Sequence, residues 1–81
     1  MNDTNLYKPP NVAKIIKACA KNKNVSLKML LQECGLGSNT FSHMLHDKYI
    51  AYDSLALIAD YLDVSVDYLL GRTDKQDSHK I

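Results

Sequence analysis

Two histidines and an aspartate form the group of residues best suited to chemistry. His43, His46 and Asp47 share one short stretch, and both imidazoles would lie on one face of a helix, a spacing found among zinc or nickel ligands. A structural metal site needs a third or fourth ligand, and none lies in register with these residues. The sequence therefore favours two polar side chains on a partner-facing surface, and we predict no metal or other cofactor.

Catalytic groups are scarce along the chain. It has one glutamate, Glu33, no glycine-rich loop for phosphate, and no nucleophile beside an evident base. Cys19 and Cys34 fall on apolar helix faces, which favours small buried side chains over a redox pair, and two cysteines are too few for a disulfide framework. We predict that the protein is not an enzyme and has no small-molecule substrate.

The charge of the chain is unevenly distributed. The 81 residues, 9.1 kDa, fit one small domain with a net charge of only +1. Residues 1–50 contain seven lysines against three acidic residues, a net charge of +4. Residues 51–81 contain three cationic residues against six aspartates, a net charge of −3. A basic front of this kind can face a phosphate backbone while the whole chain stays nearly neutral.

The N-terminal sequence MNDTNLYKPP lacks the basic and apolar segments of a signal peptide. The longest apolar run is far below the roughly 20 residues that cross a bilayer. We therefore expect a cytoplasmic protein without a membrane partner.

Apolar residues recur at three- and four-residue spacing in five segments, and no strand-like alternation is present. Helix 1 is predicted at about residues 11–21, after Pro9 and Pro10. Helix 2 follows the N-cap Ser26, and Gly35 ends it. Helix 3 opens at residues 38–40, helix 4 spans about residues 52–62, and helix 5 spans residues 66–70, after the N-cap Ser65. The predicted inward residues of helix 3 are Phe41, Met44 and Leu45, and those of helix 4 are Leu55, Ile58, Ala59 and Leu62.

The connection between helices 2 and 3 is very short. Gly35 and Gly37 flank Leu36, which can tuck inward as a plug between the two helices. The predicted fold class is all-α, with residues 1–10 as a flexible N-terminal arm, residues 11–71 as the helical domain and residues 72–81 as a polar tail.

The order of these segments resembles a known family. The stretch VSLKMLLQECGLGSNTFSHML, followed by SLALIADYLDVSVDYLLGRTD, is similar to the Cro and phage-repressor type of helix-turn-helix protein, the XRE family. The most specific pieces are Leu55, Ile58 and Ala59, and the ending over residues 64–74. The resemblance implies a compact five-helix bundle of the lambda-repressor-like DNA-binding type, in which helices 2 and 3 form the helix-turn-helix.

The outward side of helix 3 would then enter the major groove. The predicted base-contacting residues are Ser38, Asn39, Ser42, His43 and His46. Asn39 is the best candidate for direct readout, because a carboxamide can pair with adenine through two hydrogen bonds. The predicted phosphate-contacting residues are Lys14, Lys17, Ser26, Lys28, Thr40 and Lys48.

Several positions depart from the family pattern. Leu27 stands where the family usually has a phosphate-contacting glutamine, Leu31 where it has alanine, and Asp47 where a glycine is common. Helix 3 also has no lysine or arginine between Ser38 and Asp47. These departures keep an alternative open, a protein-interaction module on the same scaffold with little or no DNA affinity, including an antitoxin-like role.

The sequence as a whole predicts a small bacterial or phage transcriptional regulator. We expect it to bind double-stranded operator DNA, to act as a repressor without chemistry, and to work as a homodimer, because one such module contacts few base pairs.

Overall fold

Five helices joined by short turns make up the fold in the computed structural model, which describes residues 7–73. They are α1 (Pro9–Asn22), α2 (Leu27–Glu33), α3 (Thr40–Leu45), α4 (Tyr52–Leu62) and α5 (Val66–Leu69). There is no strand within residues 7–73, so the all-α prediction with five helices is confirmed. Most of the predicted N-terminal arm and nearly all of the predicted tail, residues 1–6 and 74–81, lie outside the described residues.

Helix α1 starts two residues earlier than predicted. Pro9 and Pro10 occupy its first two positions, because the fixed φ of proline suits a first turn that has no internal donors to lose. Pro9 is also buried, so the domain includes it. Behind it, Val12, Ile16 and Cys19 form the buried stripe expected from their spacing.

Two serine caps fix the starts of α2 and α5, as predicted. The hydroxyl of Ser26 accepts a hydrogen bond from the Met29 amide, and that of Ser65 accepts one from the Tyr68 amide, both at 3.0 Å. Each bond satisfies an amide in a first helical turn that has no partner inside its own helix.

One type of C-terminal turn follows every described helix. A residue one or two positions beyond the helix has a positive φ, and the amide of the next residue donates to a carbonyl five residues back. The left-handed residues are Asn24, Gly35, Asp47, Asp63 and Gly71. Each helix therefore ends sharply, and its last carbonyls are paired.

The core is built around α1, which packs against α2, α3 and α5, while α4 packs against α2 and α5. Every helix contributes at least one fully buried large side chain: Ile16, Leu30, Met44, Ile58, Leu62 and Leu69. The predicted inward residues of α4, including Leu55 and Ala59, are all buried. Even the longest helix within residues 7–73, the 14-residue α1, is too short and too polar to span a membrane.

Both cysteines are buried free thiols, as their spacing predicted. Burial raises the pKa of Cys19, and the nearby Lys23 offsets a part of this increase. Burial also raises the pKa of Cys34, and the adjacent Glu33 raises it further. Both side chains therefore stay protonated at neutral pH and act as small apolar groups.

The prediction that Leu45 faces the core is wrong. Leu45 is 52% exposed, whereas Met44 beside it is 1% exposed and Phe41 is 7% exposed. Helix α3 packs against α1 through the side that carries Phe41 and Met44, and Leu45 lies outside that side, so it is left exposed.

Neighbouring residues on α3 should therefore differ sharply in their contribution to stability. We expect Met44→Ala to lower the free energy of unfolding by about 2–5 kcal/mol, because it leaves a cavity in the core. Leu45→Ala should cost less than about 1 kcal/mol. Urea unfolding followed by circular dichroism measures both, and equal losses would contradict the burial of α3 described here.

Candidate nucleic-acid interface

The turn between α2 and α3 fixes how α3 is presented. Gly35 has a φ of +71°, a conformation that side chains other than asparagine and aspartate rarely adopt. The amide of Leu36 then donates to the Leu31 carbonyl at 2.8 Å, and that of Gly35 to the Gln32 carbonyl at 3.1 Å. Leu36 is half-buried and packs against the core, as the predicted plug should. Two hydrogen bonds and an apolar anchor therefore hold the chain rigidly where it leaves α2.

The residues predicted to contact bases are all exposed and lie just before α3, on it, or, for His46, at its C-cap. They are Ser38, Asn39, Ser42, His43 and His46. Phe41 and Met44 on the same helix are buried against the core, so α3 has a buried side and a polar exposed side. The helix itself begins at Thr40, and Ser38 and Asn39 lie in the preceding turn rather than within the helix.

Asn39 is held at the N-terminal end of α3 with its carboxamide available. It occupies the N-cap position, but its side chain makes no capping hydrogen bond. A Cβ atom at Gly37 would lie 3.1 Å from its Oδ1 atom, so the absence of a side chain at Gly37 leaves room for the carboxamide. The position suits a group that must pair with a base edge.

Hydrogen bonds within the site determine whether its hydroxyl groups are free to donate to a phosphate. The Thr40 hydroxyl donates to the Gly37 carbonyl at 2.7 Å, so donation to a phosphate requires it to turn away from Gly37. The Ser26 hydroxyl accepts from Met29, and its own proton remains available to a phosphate oxygen.

The imidazole of His46 is oriented by the backbone of α3. Its Nδ1 atom lies 2.9 Å from the Ser42 carbonyl, and because a carbonyl can only accept, Nδ1 carries the proton. Its Nε2 atom makes no hydrogen bond to residues 7–73 and is the ring nitrogen left to meet a base edge.

Four of the six residues predicted to contact phosphates are lysines. Lys14, Lys28 and Lys48 are exposed, and Lys17 is half-buried, with its Nζ atom 5.8 Å from the centre of the Phe41 ring. This cation–π contact ties α1 to α3. Within residues 7–73 the one ion pair between side chains joins Arg72 and Asp67, so none of the four lysines is neutralised by a carboxylate.

One exposed carboxylate, that of Asp47, lies between α3 and Lys48 in the sequence. Asp47 follows α3 with a φ of +66°, is exposed, and precedes Lys48, whose amide closes the turn by donating to the His43 carbonyl at 3.0 Å. A DNA backbone passing near Lys48 would therefore also meet a negative charge. Within residues 7–73 no group of three histidine, cysteine or acidic side chains comes together to hold a metal ion.

Comparison with known families agrees with this geometry. The model of the Cro/C1-type helix-turn-helix DNA-binding domain matches residues 14–75. The chain belongs to this family. The match spans the helix-turn-helix, α2 and α3, as well as α4 and α5, and it confirms the predicted family and fold class. The family is a DNA-binding domain rather than a class of enzyme. Searches of curated proteins and of solved structures returned no significant match.

Two features of this surface are absent from the predicted site. The contact of Lys17 with Phe41 joins residues far apart in sequence, and no local pattern indicates it. Gln32 is exposed on α2 and lines a groove with Lys17, Lys28 and Ser38. Its position four residues after Lys28 places both on one side of α2, which is the only signal in the sequence.

The left-handed aspartates should be sites where glycine stabilises the fold. We expect Asp47→Gly and Asp63→Gly each to raise the free energy of unfolding by about 0.5–1 kcal/mol, because glycine adopts a positive φ without a steric cost, although its freer unfolded chain offsets a part of the gain. Asp60→Gly, within α4, is the matched control and should lower stability by about 0.3 kcal/mol, the difference in helix propensity between the two residues. Urea unfolding tests all three variants, and a loss of stability in Asp47→Gly would refute this account.

Proposed function

We propose that this DNA-binding domain is a sequence-specific transcriptional regulator that inserts α3 into the major groove and represses by occupying an operator. The observation that carries the proposal is the two-sided α3, whose Phe41 and Met44 are locked in the core while its polar side faces solvent. A reading helix needs this combination, because its side chains must meet base edges in one fixed register.

Base readout is assigned to residues other than lysine and arginine. Asn39 pairs with an adenine, and Ser38, Ser42, His43 and His46 reach the neighbouring base edges. The exposure of these five residues supports the assignment, as does the absence of a capping bond that would occupy the Asn39 carboxamide.

Backbone contacts are assigned to the surrounding residues Lys14, Lys17, Ser26, Lys28, Thr40 and Lys48. Contacts to phosphates position the protein without reading sequence, and they make binding depend on salt. The four unpaired lysines support this division of roles, since α3 itself has no lysine or arginine.

We further propose that the protein works as a cytoplasmic homodimer. The six-residue α3 reaches only a few base pairs, and two copies on half-sites about 34 Å apart would multiply the discrimination. The enriched DNA sequence would then be an inverted repeat.

One observation favours a second candidate function. The exposed Asp47 carboxylate follows a recognition helix that has no cation, an arrangement that also suits a protein-interaction module of antitoxin-like type with little DNA affinity. Such a module would show no sequence preference on DNA and little response to salt.

Selection from a genomic DNA library at two salt concentrations separates the two functions. We expect one enriched motif, and an affinity that falls steeply as salt rises, because lysine contacts release counterions. Absence of any enriched sequence, together with a salt slope near zero, would overturn the proposed regulator in favour of the interaction module.

Two variants test the division between base and backbone contacts. Asn39→Ala should weaken binding by about 1–3 kcal/mol at one base position and relax the preference there. Lys28→Ala should weaken binding to all sequences alike and lower the salt slope by about one. Affinity measured on the selected operator and on its single-base variants checks both, and a uniform loss in both variants would refute the assigned roles.

The Asp47 carboxylate should oppose DNA binding. We expect Asp47→Asn to tighten binding to all sequences by about two- to fivefold, as for an exposed charge interaction, and the gain should shrink at high salt. Asp63→Asn is the control, because it removes the same charge from the same type of turn at the end of α4. Equal effects of the two variants would indicate overall net charge rather than a local repulsion.

A further inference from the structure

A groove of about 360 Å³ lies between α1, α2 and the start of α3. Its apolar lining comes from Leu27 and Leu31 of α2, Leu36 of the turn and Phe41 of α3. Leu31 and Phe41 are 6% and 7% exposed, while Leu27 and Leu36 are half-buried, so the apolar surface is anchored in the core. The groove is therefore shaped before anything binds to it.

Two leucines of α2 contribute to its apolar character. Leu27 and Leu31 both line the groove, and neither side chain has a polar atom. Leucine at position 27 cannot donate a hydrogen bond to DNA, so this part of the surface favours an apolar group over a phosphate.

The charged groups of the groove have one sign. Lys17 from α1 and Lys28 from α2 both line it, and none of its lining residues is acidic. Gln32 and Ser38 complete the polar part of the lining. Nothing within the groove balances the two ammonium groups, so it is complementary to a negatively charged occupant.

We propose that this groove binds a small organic anion with an apolar body, typified by an aromatic carboxylate. The apolar body would contact Leu27, Leu31, Leu36 and Phe41, and the carboxylate would pair with Lys17 and Lys28. The volume lies near the lower end of the roughly 300–1,000 Å³ typical of small-molecule sites, which suits one or two fused rings.

Binding at this groove and binding to DNA exclude each other, a consequence that rests on the proposed function. Lys17, Lys28 and Ser38 line the groove and are also assigned to DNA contacts. An occupant that pairs with the two lysines neutralises charge that the phosphates require. The organic anion therefore acts as an effector that releases the operator.

The binding step is tested on the full chain without DNA. We expect 2-naphthoate, titrated into ¹⁵N-labelled protein, to cause saturable amide shifts at Leu27, Leu31, Gln32 and Leu36. The uncharged analogue 2-naphthamide should bind about two- to fivefold more weakly, because an exposed charge pair contributes about that much. Shifts scattered over the exposed tyrosines, or equal affinity for both compounds, would overturn the proposal.

Lysine variants test which ammonium groups pair with the carboxylate of the ligand. Lys17→Met and Lys28→Met keep an apolar stem without the ammonium group, and each should weaken 2-naphthoate by about two- to fivefold without affecting 2-naphthamide. Lys21→Met is the matched control, since Lys21 is exposed on α1 but does not line the groove. An equal loss in Lys21→Met would overturn the assigned pairing. Leu27→Trp, which fills the groove, should abolish binding of both compounds while the unfolding midpoint stays near that of the parent.

The competition step uses the selected operator. At ten times its dissociation constant, 2-naphthoate should lower the apparent DNA affinity about tenfold. An unchanged DNA affinity would overturn the effector role. A chain that binds 2-naphthoate as expected but binds no DNA would overturn the proposed regulator and still support the groove site, so the two failures are distinguishable.

Discussion

The geometry of the DNA-facing surface depends on the turn that ends α2. Gly35 adopts a left-handed conformation, and the Leu36 amide bonds to the Leu31 carbonyl five residues back. This bond stops α2 and directs Leu36 into the core. The position of α3 then follows, because Phe41 and Met44 can reach α1 only if the chain leaves α2 in this direction.

The same left-handed turn follows every described helix, but the residues that fill it differ in charge and in the conformational energy that a positive φ requires. Glycine fills two of the five left-handed positions, whereas Asn24, Asp47 and Asp63 fill the others. Aspartate tolerates this conformation better than most residues, yet it brings a carboxylate with it. At Asp63 that charge follows α4, whereas at Asp47 it follows the recognition helix. The residue that fills the left-handed position has only a small effect on folding stability. After α3, however, its charge changes the electrostatics of the surface proposed to meet DNA.

Local sequence patterns predicted the positions of the helices well, but they predicted poorly which side chains the packing of the helices buries. The spacing of Leu55, Ile58 and Leu62 and the caps Ser26 and Ser65 identified their helices, because these signals act within a few residues. Leu45 was placed in the core wrongly, since its exposure depends on which side of α3 faces α1. The groove beside α2 was not predictable for the same reason. It is formed by residues from three helices and a turn, and their meeting is a property of tertiary packing.

In the proposed function, the lysines that attract DNA and the residues that read bases are different residues. This difference has a consequence for how DNA binding can be regulated. Helix α3 has no lysine or arginine, so under the proposed function the attraction to DNA comes from lysines on α1, on α2 and after α3. Two of them, Lys17 and Lys28, also line an apolar groove. Under this proposal, a ligand that pairs with them weakens the attraction to DNA and touches one of the five assigned base contacts, Ser38. Asn39, Ser42, His43 and His46 do not line the groove, so DNA affinity falls while most of the sequence preference is kept.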